Sequence, residues 1–370
     1  MYKKIFYLHV GKTAGTSMNK YIASHFGSDE SAVHIETDAK WWADNKSFYI
    51  PKKFLSGHVS FVRFLQHYPS ADYYKFATFR KPIDHVISHL AWVRHLAEPG
   101  NEEFLHGHPV WVQAISHKLS QIDFADIGQL SHFVANLDEM ECALFDNSQT
   151  RYLLAIPGSQ LVNTEKRTEA LLTLQQLDFV AITERYNESM AVLANDLGWD
   201  MPLRGERLNK STTKYGLDGS RPDIQQALMP LIWSDIFVYK QAKLQCLKKI
   251  EALLTPAGVN GESAASHSPN GVRGVLDVAT SKMLRGWVML ENNPGATIYL
   301  NVIVNDDQSF YTKANKLRPD LKDKGIHPTG LCGFCLEFPA DANIKPKDNF
   351  VVRIMGQKNI IFQNTIATGG

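Results

Sequence analysis

The sequence predicts an α/β fold, with helices around a central parallel sheet, plus a small C-terminal β-sandwich domain. Three observations carry this. An apolar run, Lys4-Ile5-Phe6-Tyr7-Leu8, enters the turn Gly11-Lys12-Thr13-Ala14-Gly15-Thr16-Ser17 and continues into a helical pattern. A second apolar run, Tyr73 to Phe79, ends in Arg80-Lys81-Pro82 and again leads into a helix, with proline in its first turn. Past residue 271 the pattern changes to short β-rich runs separated by turn residues.

The first turn has the composition of an anion site. A helix N-terminus presents N–H groups without intrahelical partners and the positive end of the helix dipole. Gly11 and Gly15 let the backbone approach an anion, Lys12 adds a charge, and Thr13, Thr16 and Ser17 add hydroxyl donors. A phosphate or a sulfate is the expected ligand. The turn is not a nucleotide-triphosphate loop of the usual kind. That motif needs a glycine five positions before Gly11, where this chain has Phe6 inside the strand. No apolar strand ending in Asp offers itself for magnesium either.

The second strand places Arg80 at its carboxyl end, and Ser88 follows two helical turns later. Ligands of open α/β sheets bind outside the carboxyl ends of the strands. Two strand-to-helix turns, each with a cation, suit a ligand with two separate anionic groups.

These residues together resemble the carbohydrate sulfotransferases, most closely the heparan-sulfate 2-O-sulfotransferase-like enzymes and their bacterial cousins. The matching features are the strand–Gly-Lys-Thr-x-Gly-Thr-Ser loop and Arg-x-Pro with a serine eight residues after the arginine. Asn147-Ser148-Gln149-Thr150-Arg151-Tyr152-Leu153, Phe179 to Ser189, Arg207 to Ser211 and Asp235 to Tyr239 also have counterparts in that family. The resemblance covers roughly residues 1 to 250. It implies a P-loop-like sulfotransferase fold and the donor PAPS (3′-phosphoadenosine 5′-phosphosulfate), with PAP as product. It further implies that Gly11, Lys12, Thr13, Ala14, Gly15, Thr16 and Ser17 hold the 5′-phosphosulfate, and that Arg80 and Ser88 hold the 3′-phosphate. The polar cationic loop 210–214, with Lys210 and Ser211, would either close over the donor, as late loops do in related enzymes, or be a solvated surface loop. One departure is His85, where family members often have arginine. If that arginine only braces the loop nothing changes, but if it touches the donor the 3′ site here is weaker.

Sulfuryl transfer to a hydroxyl calls for a general base. The candidate is His58, in Leu55-Ser56-Gly57-His58-Val59-Ser60-Phe61, which is similar to the family's catalytic-histidine segment. Imidazole titrates near neutral pH, which suits the role. With fourteen histidines in the chain, His9 and His89 are weaker alternatives, His9 as support for Lys12. In-line displacement at sulfur would put charge on the leaving bridge oxygen, where Lys12 and the loop amides would stabilise it. No metal is called for, because a sulfuryl group carries less charge than a terminal phosphoryl group, and no metal-ligand spacing stands out.

Composition is that of an ordinary globular enzyme: 370 residues, 44% hydrophobic, 21% charged, net charge +1. Such a balance gives no bulk field for nucleic acid, though local basic patches would suit an anionic glycan. No apolar run reaches membrane-spanning length and no cleavable signal pattern is present. Eukaryotic Golgi members of the family it resembles carry a membrane anchor, so the resemblance implies a bacterial, cytoplasmic protein or a trimmed soluble portion. The four cysteines make no disulfide framework, and Cys332-Gly333-Phe334-Cys335 reads as strand packing. Pro109 to Leu119 and Leu130 to Phe145 have helix-like spacing. Trp41, Trp42 and Trp92 suit either the core or stacking on a sugar or adenine, and residues 89 to 130 are placed along the acceptor cleft.

A Pro/Gly/Ser-rich stretch at 255–271 reads as a linker between a catalytic domain, 1–254, and a β-sandwich accessory domain, 272–370. Asn315 to Leu321 with Gly333-Phe334 resembles an accessory β-domain of bacterial glycosyltransferases and sulfotransferases. Glycan binding, a scaffold and a homodimer contact are the roles open to it. Two other functional classes stand beside a sulfotransferase acting on a saccharide: a P-loop kinase or nucleotide hydrolase, which would need magnesium and ATP, and a non-catalytic glycan or nucleotide binder.

Overall fold

A computed structural model of the chain describes residues 4–42, 46–200, 215–254, 271–357 and 359–367. They fall into two compact units. One is drawn from Met1–Tyr186 and Arg207–Cys246, the other from Asn187–Glu206 and Leu247–Gly370.

The first unit is α/β. Its five strands are β1 (Lys4–Leu8), β2 (Ser31–Ala32), β3 (Phe54–Gly57), β4 (Tyr73–Phe79) and β5 (Phe179–Ile182). They form one sheet in the order β2-β3-β1-β4-β5, with every pairing parallel. A strand covered by helices on both faces needs apolar residues at consecutive positions, and β1 has them: Ile5, Phe6, Tyr7 and Leu8 are all buried. Phe6 stacks on Phe64 on one face of the sheet, and Tyr7 stacks on Phe76, its neighbour across the β1–β4 ladder. The first helix, α1, spans Gly15–Ala23.

The helix Pro82–His95 buries Ile83, Val86, Ile87, Leu90 and Val93, a stripe at helical spacing, in a cluster with Ile115, Leu119, Phe133 and Ile224. The expected helix at 109–119 is observed as Val110–Ser120. The segment from Leu130 to Phe145 is two helices, Ile127–Ala135 and Glu139–Phe145. A capping box at Asp138 restarts the chain. The Asp138 carboxylate accepts the Glu141 N–H and the Glu141 carboxylate accepts the Asp138 N–H, each at 2.9 Å.

The second unit holds two antiparallel sheets. β6 (Val272–Ala279), β7 (Met283–Leu290), β10 (Lys316–Leu317) and β11 (Leu331–Glu337) make one, ordered β10-β11-β7-β6. The other runs β13-β12-β8-β9, from β8 (Ile298–Val304), β9 (Gln308–Ala314), β12 (Asn349–Ile354) and β13 (Ile360–Thr365). Alternate residues of β8, Ile298, Leu300, Val302 and Val304, share one apolar core with Leu284 and Val288 of β7 and Phe334 and Leu336 of β11. Cys332 packs with Trp287, Met289 and Leu321 in a separate small cluster, while Cys335 is half-buried and both thiols are free. Arg318 ties the Asn315–Leu321 motif down through ion pairs to Asp277 at 2.6 Å and Asp320 at 2.8 Å. Among the described residues no helix is long and apolar enough to cross a membrane.

Candidate functional site

The order β2-β3-β1-β4-β5 sends the chain to one side of β1 and then to the other. The crevice outside the carboxyl end of β1 is therefore the topological switch point. Every strand of the sheet delivers a polar group just past its carboxyl end: the Gly11–Ala14 turn after β1, His34 and Glu36 after β2, His58 after β3, Arg80 after β4, and Thr183 after β5.

The turn is held by its carbonyls. Thr13 Oγ1 donates to the Val10 carbonyl at 2.7 Å. His85 Nε2–H donates to that of Gly11 at 2.8 Å, Arg80 Nη1 to that of Lys12 at 3.1 Å, and Thr183 Oγ1 to that of Thr13 at 3.2 Å. Four successive carbonyls are thus fixed by side chains. Lys12 and Ala14 are left-handed, at φ 63° and 69°, whereas Gly11 and Thr13 are not. That alternation turns consecutive N–H groups to one concave side, a nest suited to an anion. Among the described residues no acceptor meets the N–H groups of Lys12, Ala14, Gly15 and Thr16. Gly15 is required for a separate reason: a Cβ there would land inside the buried His9 ring.

Lys12 is half-buried, with Nζ 5.3 Å from the centroid of the Trp92 ring. Burial first, and the nearby Arg80 charge second, lower its pKa to about 8. Trp92, read as either core or stacking residue, is partly buried against the apolar cluster and lies beneath this ammonium. Ser88 is half-exposed on the helix Pro82–His95, one turn past His85 and on the same face.

His58 follows the last residue of β3, Gly57. Its backbone N–H donates to Glu36 Oε2 at 2.8 Å, in the space that a Cβ on Gly57 would take from that carboxylate. Its Nδ1 lies 2.7 Å from the His9 carbonyl. A carbonyl only accepts, so Nδ1 carries the proton and Nε2 keeps the lone pair. Tyr152 Oη is 3.2 Å from the same Nδ1. Burial lowers the His58 pKa against the pull of the Glu36 charge, so the ring is neutral at pH 7. A Cβ on Gly11 would stand 3.8 Å from His58 Cε1, which sets the ring beside the nest.

Glu36 is shared. Its Oε1 pairs with His34 Nδ1 at 3.2 Å. Burial opposes ionisation of Glu36, but the His34 hydrogen bond and the His58 ring and N–H hold its pKa below the usual value. The same hydrogen bond raises the His34 pKa. His9 is buried, its ring centroid 4.1 Å from that of His58, and burial followed by the two neighbouring imidazoles drives its pKa well down. One ligand nitrogen from each of His9, His34 and His58 lies within 4.8 Å of the others.

Arg80 is positioned through its backbone. Its N–H donates to Gln149 Oε1 at 2.9 Å, and Gln149 Nε2 donates back to the Arg80 carbonyl at 3.0 Å. Gln149 is held in turn. Asp235 accepts its N–H at 3.1 Å, and the N–H and hydroxyl of Thr150 each at 2.7 Å. Burial lifts the Asp235 carboxyl to about 7 against these hydrogen bonds. Arg151 pairs with Asp146 at 2.7 Å inside the fold.

The structure brings together Gly11, Lys12, Thr13, Ala14, Gly15, Thr16, His58 and Arg80. Ser17 is buried on the inward side of α1, and Thr16 is exposed. One reading changes, and one that was open narrows. The Thr13 hydroxyl braces the turn through Val10 and is not a donor left for a ligand. His85 is a brace as well, buried and depressed to about pKa 4, so it brings no charge to the site. His89 is buried, its ring 5.2 Å from that of Phe145. Lys210 and Ser211 lie outside the described residues.

Sequence reading passed over His34, Glu36 and Tyr152 as site residues, and it saw no metal-ligand cluster where three imidazoles converge. The only signals were Gly57-His58 and the Gln-Thr-Arg-Tyr run. A concavity of 550 Å³ lined by Leu137, Cys142, Leu161 and Trp233 shares no residue with this site. A scan against protein-family models found no match to the chain, and a search of curated proteins found none.

Proposed function

We propose that the chain is a PAPS-dependent sulfotransferase of P-loop-like fold that transfers a sulfuryl group to a saccharide hydroxyl, acting in the cytoplasm. The observation that carries this reading is a histidine with its Nε2 lone pair set free by a carbonyl on Nδ1, standing beside an N–H nest flanked by Lys12 and Arg80. The nest and Lys12 suit the 5′-phosphosulfate, and Arg80 with Ser88 suits the 3′-phosphate. The donor supplies the activated sulfuryl group. His58 Nε2 accepts the proton of the attacking hydroxyl, and the His9 carbonyl and Glu36 steady the imidazolium that forms. Lys12 and the loop amides offset charge on the departing phosphate oxygen, their geometry already set by the four carbonyl clamps. An anion loop following the central strand of a parallel sheet supports the fold assignment.

The test is calorimetry of PAP and of ATP without magnesium, on the wild type and Arg80→Ala. Micromolar PAP binding, far weaker for ATP and strongly reduced in the variant, is the expected result. Magnesium-dependent ATP binding with no PAP binding would favour a kinase or nucleotide hydrolase and sink this reading. PAP binding without transfer to any saccharide would point to a binder.

A further inference from the structure

We infer that His9, His34 and His58 form a binding site for a divalent transition metal of the zinc class, and that the metal competes for the lone pair His58 uses as a base. The second half rests on the proposed function; the metal site itself does not. The three residues come from three different strand ends and are separated by more than twenty positions each, yet a nitrogen of each lies within 4.8 Å of the others. Ring centroids are 4.1, 5.6 and 5.8 Å apart. Tetrahedral zinc with bonds near 2.0–2.1 Å needs ligand nitrogens roughly 3.3 Å apart, so modest side-chain rotation closes the set.

The surroundings have the character of a metal site's outer shell. Imidazole ligands hand their other N–H to a carboxylate or carbonyl, which fixes the tautomer. Glu36 Oε1 does this for His34 Nδ1, and the His9 carbonyl does it for His58 Nδ1. For His9 the neighbour is Asn19, whose Nδ2 is 3.4 Å from Nδ1. Asn19 Oδ1 is buried without a hydrogen-bond partner. Amide orientation is assigned from such networks. Turned over, Asn19 places Oδ1 where it accepts the His9 Nδ1–H and satisfies the orphaned oxygen. All three rings then carry their lone pairs on Nε2. The missing Cβ of Gly15 makes the room that the buried His9 ring occupies.

Three imidazoles suit zinc, copper or nickel better than magnesium or calcium, and three protein ligands leave a fourth position for water or an anion. Each ring gives a nitrogen lone pair to the metal and no bond is broken. A His58 lone pair engaged by the metal cannot take a proton, so metal occupancy and base action exclude each other.

The experiment titrates Zn2+ into the chelator-treated full chain by calorimetry, with visible absorption of Co2+ as a readout of nitrogen coordination, and measures PAP binding on the same preparation. One metal per chain is expected in the wild type. His34→Ala removes an exposed ligand and should weaken binding at least about 10–100-fold, the range seen for outer-shell losses; Glu36→Gln should fall within it. His34→Gln carries the same test should His34→Ala lose its circular dichroism. No stoichiometric metal, or equal affinity in wild type and the His34 variants, overturns the site. PAP binding without metal binding would leave the function standing and remove the metal site. Metal binding without PAP binding would do the reverse.

Discussion

Burial first, and the nearby Arg80 charge second, depress the Lys12 pKa from its ordinary 10.5 to about 8. A bound anion would offset both effects and raise it again. The sign follows. Below about pH 8 the free site already holds the proton, and an anion meets two cations. Above it the free site has lost the proton, and binding must recapture it. Affinity for PAP should then fall by up to tenfold per pH unit, about 2.7 kcal/mol over the two units from pH 8 to pH 10. Phosphate groups with a second pKa near 6 are fully ionised throughout and add no slope. Lys12's contribution to the stability of the free protein runs the other way. Its folded pKa lies below its unfolded one, so the unfolded chain binds more protons in this window and stability rises with pH. Calorimetry in two buffers of different ionisation enthalpy would count the protons taken up. Lys12→Arg keeps its charge and should give a flat profile. A wild-type profile as flat as that of Lys12→Arg, or an equal slope in both, would refute the reasoning.

Two further outcomes follow from the geometry. Gly15→Ala must expel the His9 ring from its buried place, at about 1–3 kcal/mol of overpacking, and denaturant unfolding should show the loss. A change within about 0.5 kcal/mol, typical of a surface substitution, would mean the ring has room to move. His58→Asn should lower turnover about 10²–10⁴-fold, the usual contribution of a general base, while leaving PAP affinity near that of the wild type. Equal losses in both would assign His58 to donor binding.

What was legible in the sequence was contiguous. The β1 turn and the Arg80 turn each lie within one strand–turn–helix, so composition and order announce them. Partnerships across the sheet are another matter. Glu36 reaches His58 from a 3-10 turn after a two-residue strand, and Tyr152 reaches the same ring from 94 positions away. Neither β2 nor the short helical turns around it have a periodicity long enough to read. Thr13 looked like a ligand donor because hydroxyl type is visible and direction is not. Leu130 to Phe145 looked like one helix because apolar spacing continues across a break that only the Asp138–Glu141 capping pair marks. In the second unit, the β-rich run Ile298–Val304 made the strand plain, and its alternate residues Ile298, Leu300, Val302 and Val304 face one core.

Arg80 does two things at once, and His85 separates them. Arg80 clamps the Lys12 carbonyl and also brings a charge to the crevice, so Arg80→Ala removes loop shape and electrostatic attraction together. His85 clamps the adjacent Gly11 carbonyl with an imidazole that burial keeps neutral at pH 7. Losing that one buried hydrogen bond costs about 1–3 kcal/mol, shared between stability and the ordering of the nest. His85→Ala should therefore weaken PAP binding by about tenfold, or 1.4 kcal/mol, with the same dependence on salt as the wild type. Arg80→Ala should weaken it further and flatten the salt dependence, because one cation has gone. Calorimetry at two ionic strengths resolves the pair. If His85→Ala left affinity untouched, the nest would hold its shape without that clamp, and backbone preorganisation would not be the source of anion affinity. If it flattened the salt dependence as Arg80→Ala does, His85 would have to carry charge in the complex, contrary to its burial.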